Sequence, residues 1–129
     1  MKFFLKIVTP DRVFFEDQID RLIARGVEGD FAVLPNMSPF VTKLDIGLIN
    51  ILNDGAKKQA SINGGYIDVR DNKVLIVTPS SEWPEEIDEN RAKQAMQRAQ
   101  DRLKQPDKYD TLRAEIALKK SINRLKLKK

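Results

Sequence analysis

The chain has 129 residues, 41% of them apolar, which suits one ordinary domain or a small domain with an appendage. It contains no cysteine and no histidine, so disulfides, thiol nucleophiles and every histidine-based catalytic or metal-binding arrangement are excluded. The formal net charge of +4 is unevenly placed: residues 1–84 carry 10 basic and 11 acidic side chains, and residues 85–129 carry 13 and 8.

The chain opens on Lys2 to Val8, a strand pattern, followed by turn chemistry in Thr9-Pro10-Asp11-Arg12. Its apolar start is cut off by Lys6, Asp11 and Arg12 before a leader core can form, so no export signal is expected. Nor is a transmembrane helix, since no run approaches about twenty apolar residues. Val13-Phe14-Phe15 reads as a second strand. Gln18 to Arg25 reads as a third, with Ile19 and Ile23 on one face and Leu22 and Ala24 on the other. Gly26 to Asp30 is a tight connection, and Phe31 to Leu34 is a strand stopped by Pro35. Phe40 to Leu44 resumes the pattern after the Asn36-Met37-Ser38-Pro39 turn, and Asp45-Ile46-Gly47 breaks it.

Two hairpins follow. Leu48 to Leu52 and Lys57 to Ile62 flank Asn53-Asp54-Gly55, a strong turn signal. Tyr66 to Val69 and Lys73 to Val77 flank Arg70-Asp71-Asn72. Between them, Asn63-Gly64-Gly65 reads as a sheet turn; it is not a phosphate loop, because no Lys-Ser/Thr follows. Strands recurring near every ten residues predict an antiparallel β-sandwich of about nine to ten short strands.

The period then changes. The stretch Thr78 to Ala92 holds Pro79 and Pro84 and ends the strand pattern. Asp88 is a candidate helix N-cap, with Glu85 and Glu86 upstream favouring the helix dipole. Ala92, Ala95, Met96, Ala99 and Leu103 form one stripe. Gln105-Pro106-Asp107 stops that helix, and Asp107 or Asp110 can cap the next. There Ala114, Ala117, Leu118, Ser121 and Leu125 form a second stripe. A short loop implies an antiparallel two-helix hairpin. The fold class is α+β in two parts: a sandwich over residues 1–84 and a helical hairpin over residues 85–129.

Five segments carry a resemblance. They are Val8 to Asp11, Glu28-Gly29-Asp30-Phe31-Ala32-Val33-Leu34-Pro35, Ser38-Pro39, Asn63-Gly64-Gly65-Tyr66-Ile67-Asp68-Val69, and Ile87-Asp88-Glu89-Asn90-Arg91-Ala92. In this order, sandwich before hairpin, the chain resembles the epsilon-subunit family of the bacterial-type rotary proton-translocating ATP synthase. The resemblance implies a non-catalytic central-stalk subunit on the cytoplasmic face of the cell membrane, peripheral and held there only through the complex. Its implied partners are the gamma subunit, the c-ring and the alpha/beta catalytic hexamer. The sandwich would dock on gamma and the ring and couple proton flow to ATP synthesis. The helices would inhibit ATP hydrolysis.

The ring-contacting loop of the family resembles Glu28, Gly29 and Asp30 together with Pro35, Asn36, Met37, Ser38 and Pro39. The family often has Gly-His-Ala where this chain has Asn36-Met37-Ser38. Some members bind ATP on the folded hairpin through an Ile/Leu-Asp-x-x-Arg-Ala motif, which Ile87, Asp88, Arg91 and Ala92 match. Glu82, Arg98, Lys120 and Arg124 match further positions, although Lys120 stands where such binders have an arginine and lacks its planar fork. The resemblance thus implies no required cofactor or metal, and ATP as a regulatory ligand. The basic charges Arg113, Lys119, Lys120, Arg124 and Lys126 suit acidic surfaces of the hexamer.

Spacing adds geometry to this. Arg91 and Arg98 are seven residues apart and Lys120 and Arg124 four apart, so each pair lies near one helix face. A closed hairpin would bring the second pair toward Arg91. An alternative function is a nucleic-acid-binding protein using the basic C-terminal helix. Against it, residues 109–129 hold one aromatic, Tyr109, and the β part is not basic, so nucleic acid is not expected as a partner.

Overall fold

The computed structural model describes residues 1–105 and 110–128. The chain divides into two compact units, Met1–Glu82 and Trp83–Lys129.

The first unit is built from β1 (Phe3–Val8), β2 (Val13–Ile19), β3 (Arg21–Gly26), β4 (Gly29–Val33), β5 (Phe40–Asn53), β6 (Ala56–Arg70), β7 (Lys73–Val77) and β8 (Ser81–Glu82). They form one sheet in the order β2-β1-β7-β6-β5-β3-β4, with β8 paired to β6. In β1, Phe3, Leu5 and Ile7 are buried while Phe4, Lys6 and Val8 are half-buried, the alternation of a strand with one face in a core. Leu5, Val74 and Val69 stand opposite one another across β1, β7 and β6, and so do Ile7, Ile76 and Ile67. Val33, Leu22 and Ile51 form a matching row across β4, β3 and β5. All nine of these side chains are buried, and burying each contributes about 1.5–3 kcal/mol.

The expected sandwich is found, and it is made differently from the sequence reading. There are eight strands rather than nine or ten, because β5 and β6 run for 14 and 15 residues. Asp45-Ile46-Gly47 and Asn63-Gly64-Gly65, expected as a break and a turn, lie inside them. The first half of β5 pairs with the second half of β6, which carries β7. The second half of β5 pairs with the first half of β6 and with β3. The two layers therefore share their central strands, which pass the corner by bending rather than ending.

Nor is the sheet wholly antiparallel: β1 pairs with β7 in parallel. A tight hairpin would force antiparallel pairing, but these strands are separated by most of the unit, so either sense is open to them. The expected third strand is also split. Gln18 and Ile19 belong to β2, and β3 begins at Arg21. Ile19 joins Leu22 and Ala24 in the core instead of pointing away from them, and Ile23 is half-buried. Asp20 makes the joint: its N–H donates to Leu52 O at 3.0 Å, and its carboxylate accepts from Asp54 N at 2.7 Å. Lys2 bonds Asn53 and Asp54 at the same end, and the Asp54 carboxylate holds its ammonium above the ordinary lysine range.

The hairpin turns are as expected. Asp54 and Gly55 take φ of 52° and 79°, and Asp71 and Asn72 take 51° and 59°, the left-handed backbone that two-residue turns require.

In the second unit, Pro84–Glu86 forms a single 3-10 turn, closed by Trp83 N donating to Glu86 Oε1 at 2.9 Å. The helices are α1 (Glu89–Leu103) and α2 (Thr111–Lys128). Asp88 caps α1 and Asp110 caps α2, accepting from Arg91 N and Arg113 N, each at 3.2 Å. Pro106 and Asp107, expected to separate the helices, lie outside the described residues. The helices pack antiparallel, with Lys128 Nζ donating to Pro84 O at 3.1 Å. No helix among the described residues is long and apolar enough to cross a membrane.

Gly65 is the position that the bend cannot spare. Its φ is +102°, and a Cβ there would fall 2.0 Å from Val77 O. Gly55 has φ +79° but open space around it. Gly65→Ala is therefore expected to cost about 3 kcal/mol or more, from strain plus overlap, and Gly55→Ala only about 1 kcal/mol. Denaturant midpoints measure both, and equal costs would show that the bend tolerates a side chain.

Candidate functional site

Two places collect the candidate residues, one in each unit. In the β unit, the β3–β4 turn and the chain between β4 and β5 enclose a groove of about 540 Å³. Its lining includes Glu28, Gly29, Asp30 and Met37 from the sequence-based set. Pro35, Asn36, Ser38 and Pro39 belong to the adjoining turn and are not among the lining residues. Sequence reasoning missed the apolar part of the groove: Val27, Phe31 and Phe40. Val27 is 58% exposed, and Phe31 meets Phe40 edge-on at 6.1 Å between ring centres. The strand alternation had assigned Phe31 and Phe40 only to structure.

The groove is held from several sides. Arg25 Nη1 pairs with Asp30 Oδ1 at 3.3 Å across the hairpin. Met37 Sδ accepts from Leu34 N at 3.1 Å. Asn36 takes φ +61°, which asparagine tolerates, and its N–H donates to Asn72 Oδ1 at 2.9 Å. Asn72 in turn donates to Lys2 O at 2.9 Å. The surface so formed is an apolar floor beside Glu28 and the Arg25–Asp30 pair.

In the helical unit, Ala92 and Ala99 of α1 and Ala114 and Ser121 of α2 are buried, and Ser121 satisfies its hydroxyl on Ala117 O at 3.0 Å. Such small side chains let two helices approach closely. Both stripes are those read from the sequence, but burial also takes in Asn123 and Leu127, which lie off them. The Lys128–Pro84 contact brings the C-terminal part of α2, which carries Lys120 and Arg124, toward the start of α1. That end of α1 carries Asp88, Arg91 and Ala92.

Arg91 is exposed, and Lys120 and Arg124 are half-buried. Arg98 lies two turns further along α1, about 10 Å from Arg91 in rise, and is exposed. Ile87 is buried, and the Asp88 carboxylate is already engaged with Arg91 N. Glu82 belongs to β8 of the first unit, where its N–H donates to Ser61 Oγ at 3.0 Å.

The five basic residues assigned to inhibition fall on two stripes of α2. Arg113, Lys120 and Arg124 share one, and Lys119 and Lys126 share another. Leu112, Ile116 and Ile122 are exposed on the same helix, a feature that sequence reasoning missed. Among the described residues no group of three acidic side chains could hold a metal ion.

The geometry defines a two-part protein, a sandwich with a groove at its loops followed by a capped helical hairpin. Comparison with known proteins is specific. Residues 2–84 match the beta-sandwich domain of the ATP synthase Delta/Epsilon chain, and residues 85–129 match its long alpha-helix domain. The ATP synthase epsilon chain of Alkaliphilus metalliredigens is 48% identical over 129 residues, covering 99% of this chain and 96% of the relative. That of Caldicellulosiruptor bescii is 41% identical over 129 residues, covering 98% and 93%. A chain in the OSCP/F1/c-ring structure of the Euglena gracilis mitochondrial ATP synthase superposes with a TM-score of 0.84 at 26% identity, covering 95% of this chain and 78% of that one. The chain therefore belongs to the ATP synthase delta/epsilon chain family, as an epsilon subunit of the central stalk and a non-catalytic component of the complex.

The cap at Asp88 sets where α1 begins and so where Arg91 stands. Asp88→Ala should cost about 1 kcal/mol of helix stability. Amide hydrogen exchange at residues 89–92 should speed up while exchange in β1 and β7 stays unchanged. Unaltered exchange in that first turn would show the cap to be dispensable.

Proposed function

We propose that the β unit couples rotation to catalysis by docking on the gamma subunit and the c-ring, with the groove between Glu28 and Pro39 facing the ring. The helical unit acts as a brake on ATP hydrolysis by reaching the alpha/beta catalytic hexamer. ATP is its regulatory ligand, and proton flow through the ring is what the subunit couples to synthesis. The subunit works at the cytoplasmic face of the cell membrane, peripheral and held through the complex.

Support for docking comes from the groove, where Glu28, Gly29, Asp30 and Met37 share one apolar-floored surface. The basic face of α2, with Arg113, Lys120 and Arg124, supports an electrostatic contact with acidic surfaces of the hexamer. What supports the regulatory reading is the antiparallel hairpin, whose Lys128–Pro84 contact brings the end of α2, with Arg124, toward the start of α1, with Arg91. A triphosphate lying against these basic side chains would gain charge-assisted hydrogen bonds. A ligand that binds only the closed hairpin stabilises it by mass action and so lifts inhibition.

Calorimetric titration of the full chain with ATP tests this. Binding is expected for the native chain. It should weaken about tenfold or more, about 1.4 kcal/mol, in Arg91→Ala and in Arg124→Ala. No heat at millimolar ATP, or undiminished binding by both variants, would remove ATP from the account.

A further inference from the structure

The bend of β6 holds a buried polar atom that no other atom of the described residues serves. Asn63 is 7% exposed, and its side-chain amide is used at one end only. Nδ2 donates to Ser80 Oγ at 2.6 Å. Oδ1 is buried and has no partner among the described residues. Leaving such a carbonyl unserved costs about 1–3 kcal/mol, so a partner is expected.

The surroundings are polar and tightly tied. Asn63 N donates to Ser80 O at 3.2 Å, and Thr78 Oγ1 donates to the same oxygen at 3.2 Å. Ser61, Thr78 and Ser81 are buried alongside. Glycines 64 and 65 follow, where β6 leaves β8 and takes up β7.

We infer that a single ordered water molecule occupies this corner, bridging the Asn63 amide and the Ser80 hydroxyl. The hydrogen bonds close a ring. Asn63 Nδ2 donates to Ser80 Oγ, Ser80 Oγ donates to the water, and the water donates to Asn63 Oδ1. The result does not depend on which way the amide is turned. If Oδ1 faced Ser80, the hydroxyl would donate to it, Nδ2 would donate to the water, and the water would donate to Ser80 Oγ. Either way one buried amide atom needs a third partner, and Ser80 alone cannot supply both ends. Buried waters of this kind make two to four hydrogen bonds and belong to the structure. Here the water would latch the segment Thr78 to Ser80 onto β6 at the bend.

A crystal structure of the full chain, at a resolution that shows ordered water, tests the inference directly. One water should lie within about 2.7–3.2 Å of both the Asn63 amide and Ser80 Oγ. A protein donor or acceptor on the far amide atom, empty density between the two side chains, or an Asn63 side chain turned out to solvent would each overturn it.

Discussion

The β unit depends on one close approach. Where β6 passes the corner, the carbonyl of Val77 occupies the space that a side chain at residue 65 would need. Only glycine lets the two backbones come so near. That approach keeps β6 paired to β5 along nearly its whole length while its other edge changes partner from β8 to β7. The layers are therefore one hydrogen-bonded sheet folded over a common core, and the loops at its end inherit a fixed geometry. The groove between the β3–β4 turn and the start of β5 has its floor carried by Phe31 of β4 and Phe40 of β5, which meet edge-on.

The helical unit is stabilised on another principle. Its seam is made of Ala92, Ala99, Ala114 and Ser121, which bury little apolar area per residue. Much of its definition comes from its ends, where Asp88 and Asp110 cap the helices and Lys128 reaches Pro84 O. A hairpin held by small contacts and caps draws its closure from many small contributions rather than from one large apolar face. The exposed Leu112, Ile116 and Ile122 give α2 apolar area to offer a partner surface.

Much of this was legible in the sequence. The two-part division, both hairpin turns, the Asp88 and Asp110 caps and both small-residue stripes follow from local rules, and local rules are what a single sequence displays. What it concealed was non-local. The parallel pairing of β1 with β7 joins residues that no local pattern connects. Asn63-Gly64-Gly65 carries the same letters whether it ends a strand or bends one, and only the facing Val77 carbonyl distinguishes the two. The groove shows the same limit: Phe31 stood in the quoted motif only as a strand residue and Phe40 lay outside it, and nothing local says that the two rings meet.

The central claim is that the helical unit restrains hydrolysis while the β unit docks on the complex. The most direct measurement is the ATP hydrolysis rate of the assembled complex with the full chain and with residues 85–129 deleted, with the subunit content of each complex checked alongside. The account predicts intact assembly and a higher hydrolysis rate after deletion. An unchanged or lower rate in a fully assembled complex would contradict it.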